Sequence, residues 1–262
     1  MSHRDAVVVE DGAMSPTWIH LFLDTPAERW ESGVAFWSEV TGCRVSPGRG
    51  ERGQFVTVLP ERGRSWLKMQ AVDGDKAGVH LDLDAPDRLA AVARSRALGA
   101  RDAWTYERVA VMHSPGGLPY CHTLGDAPEA AGMEREGRVV IADQVCLDIP
   151  ARLWDAEVDF WCRLTGRELE RGIRSEFAFL GDPEPAGPPR VLLQRLDDDA
   201  PRVTAHLDLA VADRPSEVRR HEGLGAQRLA DFERWTVMGA PSGHEYCLTD
   251  RSPATGMVRR PG

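Results

Sequence analysis

No stretch of this 262-residue chain approaches the roughly 18 consecutive apolar residues that a membrane-spanning helix requires. The opening MSHRDAVVVEDGAMSP holds an apolar run too short for the core of a signal peptide, so the expected location is cytoplasmic and no membrane partner is expected. Cysteine is scarce and carries no pairing signal. The five residues, Cys43, Cys121, Cys146, Cys162 and Cys247, are odd in number and form no CxxC, which argues for reduced thiols rather than a disulfide framework or a structural zinc site. A basic excess is missing too: the net charge is -9, with Lys and Arg scattered among acids, so phosphate backbones are repelled and nucleic acid is excluded as a partner. What remains is a soluble globular protein whose hydrophobic fraction of 42% is enough for a sizeable core.

What is present is a duplication. AFWSEVTG at 35–42 is answered by DFWCRLTG at 159–166, an offset of 124 that also relates Gln70 to Gln194. After a small insertion the match resumes at an offset of 126, with HLDL (80–83 and 206–209), LGA (98–100 and 224–226), YERVAVM against FERWTVM, and SPGGLPYC against APSGHEYC. So many landmarks in one order exclude coincidence. The expected layout is an N-terminal tail (1–16), a first domain (17–125), a linker (126–139) rich in small and charged residues, a second domain (140–252) and a C-terminal tail (253–262).

Each copy follows one plan. A strand (WIHLFLD; ADQVCLD) passes through a Pro-containing turn into a helix that stops at Gly42 or Gly166. Three short strands follow, near 44–47, 54–59 and 66–72 in the first copy, and DPEPAGPP makes the matching loop of the second copy longer. The cycle then restarts at HLDL with strand, helix and three strands. Each copy is therefore βαβββ twice over, an α+β fold.

Strand alternation sorts these residues by face. His80 with Asp82, and His206 with Asp208, point one way while the leucines of HLDL point the other. His20 shares a face with Trp18 and Phe22, Glu245 shares one with Cys247, and His122 opposes Cys121. The expectation is a polar inner face suited to a small molecule. Trp18 and Trp66 are placed to stack a planar ligand, and the FW pairs (Phe36/Trp37, Phe160/Trp161) to pack in the core. Two histidines and a carboxylate are the minimum for an open metal site, which His20, His80 and Asp82 would supply. Glu245 is the candidate general acid or base, with His206 as a second catalytic candidate.

The doubled βαβββ unit, the FW pair followed by Gly, the His that opens HLDL and the PxGxxxC ending together resemble the vicinal oxygen chelate superfamily, in particular tandem glyoxalase-like, bleomycin-resistance-type domains. The resemblance implies a cupped mixed sheet in each domain, with metal ligands on the first and last strands of each module. The positions it marks are His20, Gln70, His80 and Cys121 in the first copy and Gln144, Gln194, His206 and Cys247 in the second. Gln70, Gln194, Cys121 and Cys247 stand where metal-dependent members usually carry Glu. Relatives differ in whether modules pair within or between domains, and the sequence leaves both arrangements open.

Two functions remain. One is a protein that sequesters an aromatic or antibiotic-like ligand through Trp18, Trp66, Gln70, Asp82, Cys121, Gln144, Gln194, Asp208 and Cys247, favoured by the loss of the Glu ligands. The other is a lyase or isomerase acting on a small oxygenated substrate, with or without a divalent Zn, Ni, Mn or Fe ion. Either works as a monomeric pseudo-dimer or as a homodimer.

Overall fold

The computed structural model describes residues 16–106, 109–125, 135–181 and 189–259. The expected tail up to residue 15, the linker from 126 to 134 and the loop from 182 to 188 lie outside them. In domain 1 the first module runs β1 (Trp18–Pro26), α1 (Trp30–Thr41), β2 (Arg44–Val45), β3 (Phe55–Leu59) and β4 (Leu67–Val72). The second runs β5 (Gly78–Asp84), α2 (Arg88–Ala97), β6 (Arg101–Tyr106), β7 (Val109–His113) and β8 (Pro119–Thr123). Domain 2 repeats this as β9 (Val140–Pro150), α3 (Trp154–Thr165), β10 (Leu169–Arg171), β11 (Phe177–Leu180) and β12 (Arg190–Leu196), then β13 (Thr204–Val211), α4 (Arg214–Gly223), β14 (Gln227–Asp231), β15 (Trp235–Gly239) and β16 (Glu245–Thr249). Gly42 and Gly166 end α1 and α3 in the left-handed conformation, at φ 61 and 68°, where a side chain would be strained. Asp87 and Asp213 start α2 and α4 by accepting the backbone N–H of Ala90 and Ser216.

Each domain is one eight-stranded mixed sheet, ordered β2-β3-β4-β1-β5-β8-β7-β6 and β10-β11-β12-β9-β13-β16-β15-β14. Modules therefore pair within a domain, through antiparallel β1–β5 and β9–β13. Alternation leaves Ile19, Leu21, Leu23, Leu81 and Leu83 buried on one face and His20, Asp24, His80 and Asp82 on the other. A one-residue slip would bury the charges and expose the leucines, which fixes the register.

The apolar faces are closed by crossed helices. Phe36 and Trp37 of α1 pack on Tyr246 of domain 2, with ring centroids 5.9 and 5.2 Å away. Phe160 and Trp161 of α3 pack on Tyr120 of domain 1 at 5.8 and 5.6 Å. Each buried indole N–H needs an acceptor, and the copies supply it differently. Trp37 donates to Ser242 Oγ (3.2 Å), across the domains; Trp161 donates to Glu157 Oε2 (2.8 Å) on its own helix, while Glu157 Oε1 accepts the Gly116 N–H of domain 1. Glu157 is matched by Gly33, and Gly116 by Ser242, so each contact has one residue with a side chain and one without. A Cβ added at Gly33 would lie 2.8 Å from Ser242 Cβ, and one at Gly116 would lie 2.8 Å from Glu157 Oε1 and 2.5 Å from Val203 Cγ2.

This complementarity yields a swap experiment. Glu157→Gly alone should cost about 2–4 kcal/mol by leaving the Trp161 and Gly116 N–H groups unpaired and loosening the helix. Adding Gly116→Ser and Val203→Ala, the residues of the other interface, should recover most of the loss in thermal unfolding; no recovery would show that the two contacts are not equivalent.

Two core histidines give a pH dependence. His122 bonds Ser95 Oγ at 2.7 Å and His221 bonds Tyr246 Oη at 2.8 Å. Burial depresses their pKa values to about 4 and about 3. Between those values and the ordinary 6.5 the unfolded chain holds protons that the fold refuses, so stability is full above pH 6.5 and falls as pH drops. Denaturant unfolding should lose about 1.4 kcal/mol per pH unit for each histidine in that window, and His221→Gln should shallow the slope.

Candidate functional site

The site forms where β1, β4, β5 and β8 bring their polar sides together, and again at β9, β12, β13 and β16. In domain 1, Phe22 lies opposite His80 across the β1–β5 pair and stacks on its ring, with centroids 4.7 Å apart and planes 9° apart. His80 Nδ1 is 2.8 Å from Asp24 Oδ2, and its Nε2 faces Asp82 Oδ1 at 3.6 Å. Burial pulls the His80 pKa down, but the charge and hydrogen bond of Asp24 outweigh it, and the imidazole is held above its usual value. One ligand atom each from His80, Asp82 and Cys121 falls within 4.8 Å of the others.

Domain 2 repeats this cluster more tightly. His206 Nδ1 is 2.7 Å from Asp148 Oδ2, its Nε2 is 3.3 Å from Asp208 Oδ1, and Cys247 Sγ is 3.4 Å from Nε2. Against burial, Asp148 above all holds His206 well above its ordinary pKa. Cys146 occupies the place of Phe22 and lies 3.6 Å from Gln194 Oε1, so ligand atoms of Cys146, Asp148 and His206 are also grouped within 4.8 Å. The Gln144 amide donates to Asp208 Oδ2 at 2.5 Å. Burial works to raise the Asp208 pKa, but His206, Arg251 and Gln144 together hold it below the carboxylate norm. A register shift beside Asp208 brings in buried Asp143, which pairs with Arg251 at 2.7 Å and Arg135 at 3.0 Å. Burial pushes the Cys121 thiol far up and the Cys247 thiol up to about 11, so both are protonated without a cation beside them.

The expected residues divide into groups. His80, Asp82 and Cys121 come together, as do His206, Asp208 and Cys247, with Gln144 and Gln194 beside the latter. Gln70 follows Lys68 and Met69 on β4, opposite Asp24 in the β1–β4 register. His20 lies opposite Asp82 across the β1–β5 pair; its Nε2 meets Asp84 Oδ2 at 3.3 Å, which Arg64 also reaches at 3.1 Å, while its Nδ1 is buried without a hydrogen-bond partner and burial lowers its pKa. Trp18 is half-buried with the Arg64 guanidinium 4.3 Å over its ring. Trp66 is buried at the domain junction, donating to the Ala142 carbonyl at 2.9 Å. Glu245 opens β16 in an exposed position, without the enclosure that its proposed acid–base role requires. Sequence reasoning missed Asp24 and Asp148, although both strands end in a matched LD, and it missed Cys146 two residues earlier.

A cation fits these clusters on structural grounds. Asp82 Oδ1 and Asp208 Oδ1 are buried without a hydrogen-bond partner in both copies, each next to an imidazole Nε2 and a cysteine Sγ. Nδ1 of each histidine is already fixed by Asp24 or Asp148, which leaves Nε2 as the ligand atom, the usual arrangement behind a metal-bound imidazole.

The glyoxalase-like domain family model matches residues 20–123 and 144–249, and the chain belongs to this family, within the vicinal oxygen chelate superfamily. Similar folds include the Mn(II)-bound glyoxalase from Novosphingobium aromaticivorans (15% identity, 90% of this chain and 82% of that one, TM-score 0.61). The 2,3-dioxygenase LapB from Pseudomonas sp. KL28 is comparable (15%, 90% and 93%, TM-score 0.59), as is a 4-hydroxymandelate synthase mutant from Streptomyces coelicolor (14%, 93% and 97%, TM-score 0.54). No curated protein matches the sequence.

Removing the orienting carboxylates tests the electrostatics. Asp24→Asn should lower the His80 pKa, and Asp148→Asn that of His206, by about one unit or more in NMR titrations of the ring protons. Unchanged titrations would mean that these aspartates do not hold the proton.

Proposed function

We propose that the protein is a metal-dependent lyase or isomerase acting on a small oxygenated substrate at the concave sheet faces. The observation that carries this reading is the recurrence, in both domains, of a His, an Asp and a Cys whose ligand atoms lie within 4.8 Å of one another, the Asp oxygen being buried and facing His Nε2. His80, Asp82 and Cys121 would hold one ion and His206, Asp208 and Cys247 the other, a nitrogen, oxygen and sulfur set suited to zinc with a position left for substrate. A bound divalent ion would supply Lewis-acid polarisation of a substrate oxygen. The chain's own residues do the rest. Asp24 and Asp148 orient the imidazoles, Gln144 holds Asp208, and Gln194 and Cys146 line the second face. The limited access to the histidines, with the His80 side chain 13% and that of His206 16% exposed, suits a small substrate better than a large drug-like ligand.

A second reading, ligand sequestration without turnover, is favoured by the His–Asp pairs, which hydrogen-bond one another without a metal. Elemental analysis distinguishes the two. Protein purified without chelator should carry near-stoichiometric zinc or another divalent ion, part of it lost in His80→Ala and the rest in His206→Ala. Metal-free wild-type protein of full stability, with tryptophan fluorescence saturably quenched by an unconsumed ligand, would instead establish sequestration.

A further inference from the structure

Away from both concave faces, a pocket opens at the domain junction, lined by Arg101 at the start of β6, His113 at the end of β7, the turn at Gly116 and Gly117, Arg152 after β9, and Arg202 before β13. Its lining contains no carboxylate. Among the described residues none of the three arginines forms a salt bridge, and Arg152 Nη2 donates to the Ala200 carbonyl (2.7 Å). Elsewhere in this chain of net charge -9, arginines such as Arg64, Arg96 and Arg214 do pair with acids. Glu157, the carboxylate beneath the turn, accepts the Gly116 and Trp161 N–H groups and is also within electrostatic reach of Arg101. Gly117, at φ 91°, brings the backbone close: a Cβ there would lie 3.4 Å from Arg202 Cβ and 3.9 Å from Arg101 Nη2.

The other domain junction is the internal control. In the repeat alignment, Arg101 is matched by Gln227, His113 by Gly239, Arg152 by Glu28 and Arg202 by Lys76. There, too, Arg29 reaches over the matching turn, its Nη1 2.6 Å from where a Gly243 Cβ would sit, and pairs with Glu28 at 3.6 Å. Leu153 stands at the position of Arg29 in the first junction and leaves its turn uncovered by a guanidinium of that helix entrance. The same scaffold thus carries an acid and a covering arginine, Glu28 and Arg29, on one side, where the other carries Arg152 and Leu153.

We propose that this junction is a binding site for a small multivalent oxyanion, a phosphate ester or a polycarboxylate, held by the guanidinium groups of Arg101, Arg152 and Arg202. Planar guanidinium forks match such oxygens in pairs, and three of them supply both charge and orientation. The site is independent of the metal clusters.

Isothermal titration with glycerol 3-phosphate and with tricarballylate tests it, each in the presence of excess chloride. Saturable binding of at least one probe should weaken about tenfold or more in Arg101→Gln and in Arg202→Ala, while Arg52→Gln, which alters an exposed arginine paired with Asp73, leaves it unchanged. The probe that binds identifies the ligand class. Absence of binding for both at millimolar concentration, or equal weakening in Arg52→Gln, overturns the proposal. Circular dichroism of each variant distinguishes lost binding from lost folding.

Discussion

The antiparallel pairing of β1 with β5, and of β9 with β13, sets every other feature of the molecule. It joins the two modules of each domain into one sheet and sets Phe22 opposite His80 and Cys146 opposite His206. Because successive side chains alternate, one register gives an apolar face that demands a partner and a polar face that cannot be buried in a core. The first requirement is met by the crossed helices, and the second creates the candidate site.

The crossed packing makes the two domains one unit. Each aromatic helix face completes the core beneath the other domain's second module, so Trp37 belongs energetically with Tyr246 and Trp161 with Tyr120. The two junctions solve one hydrogen-bonding problem with different residues, Ser242 in one and Glu157 in the other. The surfaces above them differ as well, and one is an arginine-lined opening.

The concave faces differ in degree rather than kind. Domain 1 places a ring, Phe22, against its histidine, and diverts His20 into a network with Asp84 and Arg64. Domain 2 places a thiol, Cys146, in the same position and surrounds Asp208 with Gln144 and a cationic Arg251. The result is a stacked, partly aromatic site in one copy and a sulfur-rich polar site in the other.

The duplication, the βαβββ order, the capping glycines and the inner face of HLDL were legible in the sequence, because periodicity and repetition are local properties of the chain. The same alternation put His80 with Asp82, whereas Cys121, marked only by the family resemblance, joins them through the β5–β8 pairing. Tertiary structure alone decided that modules pair within a domain, since both pairings satisfy the same strand pattern. It also decided that His20 turns to Asp84 and that Trp66 seals a junction, because both outcomes depend on neighbours dozens of residues away. Asp24 and Asp148 lie between these cases: visible as a repeated letter, they acquire meaning only when an adjacent strand places an imidazole within hydrogen-bonding distance.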